Sequence, residues 1–239
     1  MINLTDKSLR RTMWYKPFSL LLFCLVMVVP EALGDKTVGP HSYTTFSASG
    51  RYVFVMLAPE AKYDDNVQPE SDRVEAVRVR SKYPKSGLYL DDNATTPLWT
   101  VDWYAHQVFL PSDGIHLVRS GPWASDSSNE ALTFYESGRE TRSYKVGDLV
   151  DCTWFLPHTT SHFSWVKTIA LHDAERTLEL TTEYNDRYKF DFVTGKVVYS
   201  CRKSRVIAVG ALLTFSSLVL LSAVFLKRRS RRRQKTRTG

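Results

Sequence analysis

The sequence predicts an all-β exported domain of about three four-stranded, blade-like units, followed by one C-terminal transmembrane helix. Three observations carry that expectation. Between Asp35 and Cys201 the chain is rich in Val, Ile, Thr, Tyr, Phe and Trp, in short runs broken by Gly, Asp, Ser and Pro. Two-residue alternation recurs there, and no stretch of about ten residues keeps a helical period. Finally, Val206 to Leu226 carries no ionisable side chain, and at about 1.5 Å per residue it reaches about 30 Å as a helix.

The elements follow in order along the chain. A basic stretch with Lys7, Arg10, Arg11 and Lys16 leads into the apolar run Phe18–Val29. That run is about a dozen residues, the length of a secretory h-region and too short for a span. Pro30 breaks it, and Ala32 and Gly34 supply small residues before Asp35, so residues 1–34 read as a cleaved signal peptide. The exported domain is expected over 35–201 and a juxtamembrane link over 202–205. The span follows at 206–226 and a basic tail at 227–239. The tail holds Lys227, Arg228, Arg229, Arg231, Arg232, Arg233, Lys235 and Arg237, a cluster that stays on the cytoplasmic side. The topology implied is a single-pass protein of the cell membrane, domain outside and C-terminus inside.

Within the domain a weak repeat is visible. Phe46-Ser47-Ala48-Ser49-Gly50-Arg51-Tyr52-Val53-Phe54-Val55 aligns with Phe109-Leu110-Pro111-Ser112-Asp113-Gly114-Ile115-His116-Leu117-Val118, and more loosely with the stretch from Ala170 to Leu180. Each copy reads as strand, tight polar turn, strand. A second hairpin follows each copy, around Asp91-Asp92-Asn93, Ser137-Gly138 and Thr194-Gly195. Two hairpins per unit at a spacing of roughly 60 residues is the rhythm of four-stranded blades. Pro59–Ser86 breaks the rhythm. It is charged and proline-punctuated, and it reads as a loop excursion with a short strand at Val74–Val79.

The phrases SASGRYVFV, PSDGIHLVR and FDFVTGKVV resemble blade sequences of propeller-type β-repeat proteins. The stretch from Leu98 to Val198 is also similar to a group of secreted or membrane-anchored bacterial proteins with no assigned activity. The resemblance implies blades. Three units are fewer than a closed propeller uses, which leaves a partial or small propeller or a β-sandwich open.

Charge excludes one function class. The chain carries 32 Lys and Arg against 25 Asp and Glu, a net +7. Between Asp35 and Cys201, however, there are 17 basic and 23 acidic residues, a net −6. A domain of that sign repels a polyanion, so nucleic-acid binding is rejected. The expected partners are the bilayer through Val206–Leu226 and anionic headgroups through the Lys227–Arg237 cluster. A protein or glycan ligand of the domain completes the list. Cys152 and Cys201 are an even pair in an oxidising compartment. A bridge would close a loop of about 50 residues, worth about 4 kcal/mol; the alternative is two separate thiols.

No recognised catalytic constellation emerges. Cys152, His158 and His162 are the best metal candidates, but Pro157 and Thr159-Thr160-Ser161 argue for a loop, where His-x-x-x-His loses its helical facing. His106, Asp113 and His116 lack a partner nucleophile, and no Gly-x-Ser-x-Gly elbow is present. No cofactor is implied. Among the tryptophans, Trp99, Trp103 and Trp165 read as core, and Trp123 and Trp154 as surface aromatics able to contact a ligand. The expectation is a binding or envelope-structural module; the alternative is an extracytoplasmic hydrolase or metal-dependent enzyme.

Overall fold

The computed structural model describes residues 39–67, 69–204, 210 and 212–222. The expected signal peptide, the basic tail 227–239 and the flanks of the expected span lie outside the described residues. The domain is three four-stranded antiparallel sheets, each a meander with its strands in chain order. The first holds β1 (Tyr43–Phe46), β2 (Tyr52–Met56), β3 (Gly87–Leu90) and β4 (Trp99–Thr100). The second holds β5 (Val108–Phe109), β6 (His116–Ser120), β7 (Glu130–Glu136) and β8 (Arg139–Lys145). The third holds β9 (Val166–His172), β10 (Thr177–Thr182), β11 (Arg187–Asp191) and β12 (Val197–Cys201). All six expected hairpins are present, and in the third unit Arg176 takes the positive φ, +56°, that Gly supplies in the first two turns.

Burial explains the strand sequences. In the first sheet Phe54, Met56 and Leu88 pack toward the second sheet with Leu117 and Tyr135, while Val53, Val55 and Tyr89 pack the opposite way. The second sheet is likewise buried on both faces: Leu117 meets the first sheet, and Val118, Leu132 and Phe134 meet Leu178, Leu180, Tyr188 and Phe190 of the third. Strands covered on both sides read as continuous apolar runs. The third sheet is covered on one side only, so β10 alternates, with Leu178 and Leu180 buried between the half-buried Thr177, Glu179 and Thr181. The three sheets are thus packed in series.

The repeat is visible in the contacts between units. Ser49 N–H donates to Ser112 Oγ at 3.0 Å, and Ser112 N–H donates to the Asp173 carboxylate at 3.1 and 3.2 Å. Ser49, Ser112 and Asp173 occupy the same position of the aligned copies, so equivalent turns touch in succession. The second turns behave alike. Gly138 has φ +79° and sits where a Cβ would come within 2.6 Å of Thr100 O; Gly195 has φ +65° and sits where a Cβ would come within 2.8 Å of Arg142 Cβ. Each turn glycine therefore lies against the last strand of the preceding unit.

The segment Pro59–Ser86 corrects the expectation of a loop with a strand at Val74–Val79. It forms helix α1 (Ala61–Asp64) and helix α2 (Glu70–Lys82). Helix α2 has Glu70 and Asp72 in its first turn and Arg80 and Lys82 in its last, which complements the helix dipole, and Glu70–Arg73 and Glu75–Arg78 pair along its surface. Its buried stripe is narrow. Only Ala76 and Val79 face inward, joined by Tyr83 just past the end, while Val74 and Val77 stay exposed. Those exposed valines masked the helical period and mimicked a strand's alternation. The helix covers the outer face of the first sheet through Val53, Val55 and Tyr89, the face that a further unit would cover in a closed ring.

A buried ion pair fastens this cap. The Asp64 carboxylate, 1 % exposed, accepts hydrogen bonds from Ser42 N–H at 2.6 Å, Ser42 Oγ at 2.8 Å and Arg80, whose guanidinium also donates to Ala58 O. A third short helix, α3 (Val146–Leu149), follows β8 and buries Val146 and Leu149 against the core between the second and third sheets. Among the described residues no helix is long and apolar enough to cross a membrane. Of the expected span Val206–Leu226, residues 210 and 212–222 are described, and they are helical.

Candidate functional site

Where β6 ends, the chain must leave the second sheet beside its neighbour β7. Gly121 N–H donates to Ala131 O at 2.9 Å, and a Cβ on Gly121 would stand 1.9 Å from Glu130 O. Only glycine fits that approach, and it turns Pro122 and Trp123 outward. The segment leading into β9 returns to meet them. Phe163 N–H donates to Ala124 O at 2.8 Å, Ser164 N–H to Pro157 O at 2.9 Å and Thr159 N–H to His162 O at 2.8 Å. Isolated bridges Ala124–Phe163 and His158–Phe163 complete the tie.

Between these two segments lies a cleft of about 390 Å³. Trp123, His158, His162, Phe163 and Trp165 give it an aromatic wall, with Pro122 and Pro157 at its sides. Trp123 is 45 % exposed, and its ring meets His162 edge to face at 5.4 Å between centroids. Trp165 is the buried floor. His158 Nδ1–H donates to Leu156 O at 2.6 Å, and its ring lies at a tilt against Phe163. His162 Nδ1 is 2.7 Å from Ser161 Oγ. None of the lining residues is Asp, Glu, Lys or Arg.

The structure sorts the residues singled out from the sequence. His158 and His162 share this cleft, in a loop, but Cys152 does not line it, and among the described residues no three His, Cys, Asp or Glu converge as a metal set. Cys152 is exposed and Cys201, at the end of β12, is half-buried, and the structure holds both as free thiols. Trp99 and Trp103 pack against the core between the first two sheets, while Trp123 and Trp154 are at the surface, Trp154 being 86 % exposed. Pro122, Pro157, Phe163 and the floor role of Trp165 were missed. The Gly121-Pro122-Trp123 string was the one local signal, since Gly-Pro marks a turn and puts the next side chain at a loop surface.

Asp113 and His116 form the other close pair. His116 Nδ1 lies 2.6 Å from Asp113 Oδ2, and Asp113 Oδ1 accepts the backbone N–H groups of Ile115 and His116 at 2.9 Å each. Burial pushes the Asp113 carboxyl up, but the hydrogen bonds from His116 and Ile115 outweigh it and hold the group below the usual carboxylate range. The His116 ring lies beside Phe192 of the third unit at 6.2 Å. The pair closes the β5–β6 turn and seats it against its neighbour. Asp92 does the same on a smaller scale, accepting from Ala94 N–H at 2.9 Å.

No family model, curated protein or solved structure matches the chain. Function is therefore argued from the site itself.

Proposed function

We propose that the chain is a single-pass, membrane-anchored binding module whose exported domain holds an uncharged ligand in the Trp123 cleft. The observation that carries the binding reading is an aromatic-walled cleft with no charged lining residue. Such a wall favours a ligand that presents an apolar face, either the C–H face of a sugar ring or an apolar side chain of a protein partner, over an ionic substrate. Trp123, braced on His162 and half in water, is the expected platform.

Anchoring rests on Val206–Leu226 and the Lys227–Arg237 cluster. Support comes from residues 212–222, which are helical and expose Leu212, Leu213, Phe215, Leu218, Val219, Leu220 and Leu221. Four consecutive exposed apolar side chains cover every side of a helix, a pattern suited to hydrocarbon. Ser216 Oγ and Ser217 Oγ each donate to the carbonyl four residues back at 2.8 Å, which satisfies both hydroxyls without water.

The hydrolase alternative has one observation in its favour, the Ser161–His162 contact. That pair is sequence-adjacent and exposed, and it lacks a carboxylate to orient the imidazole. Titration of the detergent-solubilised full chain with neutral oligosaccharides and apolar peptides, followed by tryptophan emission, tests the binding reading. A hit should weaken at least tenfold in Trp123→Ala with the melting temperature unchanged. Undiminished binding in that variant, or substrate turnover abolished by Ser161→Ala, would contradict it.

A further inference from the structure

Building on the membrane reading proposed above, we infer that Trp154 and Phe155 form an aromatic anchor seated in the lipid headgroup region beside the chain's own span. The domain would then touch the bilayer at a second point, besides the span.

Trp154 and Phe155 are the two central residues of a turn closed by Leu156 N–H donating to Thr153 O at 3.2 Å. They are 86 % and 85 % exposed, the most exposed large apolar side chains of the described residues. Leaving two such rings in water forgoes the apolar burial that either would gain on a less polar surface. The turn is not a loose loop. Leu156, 4 % exposed, is sunk in the core between the second and third sheets. On the other side Arg202 Nη1 donates to Asp151 Oδ1 at 2.8 Å, and Arg202 Nη2 donates to Asp148 O at 2.7 Å.

Arg202 places this turn relative to the membrane, because it stands four positions before Val206. The exit of the chain is fastened a second time two residues later. Ser204 N–H and Oγ donate to the two carboxylate oxygens of Asp186 at 2.8 and 2.6 Å, and Asp186 is 1 % exposed. Trp154 lies three residues from Asp151 and the span begins four from Arg202, so with at most about 3.6 Å per residue their backbones lie within about 11 Å and about 15 Å of the backbones of two residues that pair with each other. An indole with a polar N–H and an apolar body is the side chain enriched at that depth, and the neighbouring phenyl reaches further toward the acyl chains. Lys203, exposed beside the same exit, suits lipid phosphates. Continuity with the span is what favours lipid over a protein partner.

The full chain reconstituted in phosphatidylcholine vesicles, with and without lipids brominated near the headgroup end of the acyl chains, tests this. Lipid-dependent quenching of tryptophan emission should fall at least twofold in Trp154→Phe. Both proteins should remain with the vesicles after an alkaline wash. Because both rings are more than four-fifths exposed, Trp154→Phe and Phe155→Ser should melt with the wild type. Equal quenching of wild type and Trp154→Phe in vesicle-bound protein overturns the aromatic anchor while leaving the span intact. Trp154 shielded only when a second protein is added overturns it in favour of a protein contact. Release of both proteins by the wash overturns the span reading and the anchor together.

Discussion

Replacing Arg80 by Met tests whether the charged segment 59–86 is a structural cap. The substitution keeps much of the side-chain volume and removes the charge, leaving Asp64, 1 % exposed, with only its two bonds from Ser42. Breaking a buried pair from one side costs about 3–5 kcal/mol. Arg80 is itself 28 % exposed and the Ser42 donors remain, so the lower end, about 3 kcal/mol, is the expected loss. For a chain of this size about 1 kcal/mol moves the midpoint by about 2–4 °C, so Arg80→Met should melt about 6–12 °C below wild type. Thermal unfolding of the detergent-solubilised chain, followed by circular dichroism, reads this directly. Arg73→Met, which removes an exposed pair on the same helix, is the control and should leave the midpoint in place. An Arg80→Met midpoint equal to that of the control would refute the cap and make the segment a tolerated surface insertion.

Three further outcomes follow from the geometry. Gly50 and Gly195 share a positive φ, but only Gly195 is crowded. In urea melts Gly50→Ala should lose about 1 kcal/mol from backbone strain alone, and Gly195→Ala about 3 kcal/mol once the clash with Arg142 and Phe134 is added; equal losses would mean that the units do not pack as described. The carboxyls of Asp113 and Asp191 are both pushed up by burial and pulled down further by the hydrogen bonds of their own turns, so both sit below the usual range when folded. Their contribution is therefore fully present above about pH 4 and is lost as pH falls through the folded values, and Asp113→Asn with Asp191→Asn should flatten the acid limb of a stability–pH curve. Trp165→Ala, which empties the 7 % exposed floor of the cleft, should cost about 3–5 kcal/mol, whereas Trp123→Ala should leave the melting temperature unchanged; the reverse order would exchange their roles.

The hairpins were legible because their information is local. A polar turn with Gly or Asp between alternating apolar residues specifies a strand pair whatever lies around it, and each of the six turns is where that chemistry puts it. The order of packing was not legible, although the reason was written in β2 and β10. Tyr52–Met56 is apolar throughout because both its faces are covered, and Thr177–Thr182 alternates because one is not. Helix α2 was hidden by its thin buried stripe, since two inward residues in thirteen carry almost no periodicity. The pair that ties it to helix α1, Arg80 to Asp64, joins residues whose proximity no local pattern encodes. The cleft was half legible. Trp123 and the two histidines stood out by type, but the close passage of Gly121 past Glu130 that creates the wall is a tertiary fact.

Anchoring is tested most directly by fractionation of cells expressing the full chain, with a C-terminal tag and an alkaline carbonate wash followed by protease added to the outside of intact cells. The chain should stay in the membrane pellet, external protease should digest the domain, and a short fragment carrying the Lys227–Arg237 cluster and the tag should survive. Recovery of the full chain in the supernatant, or digestion of the tag from outside, would contradict a span at Val206–Leu226.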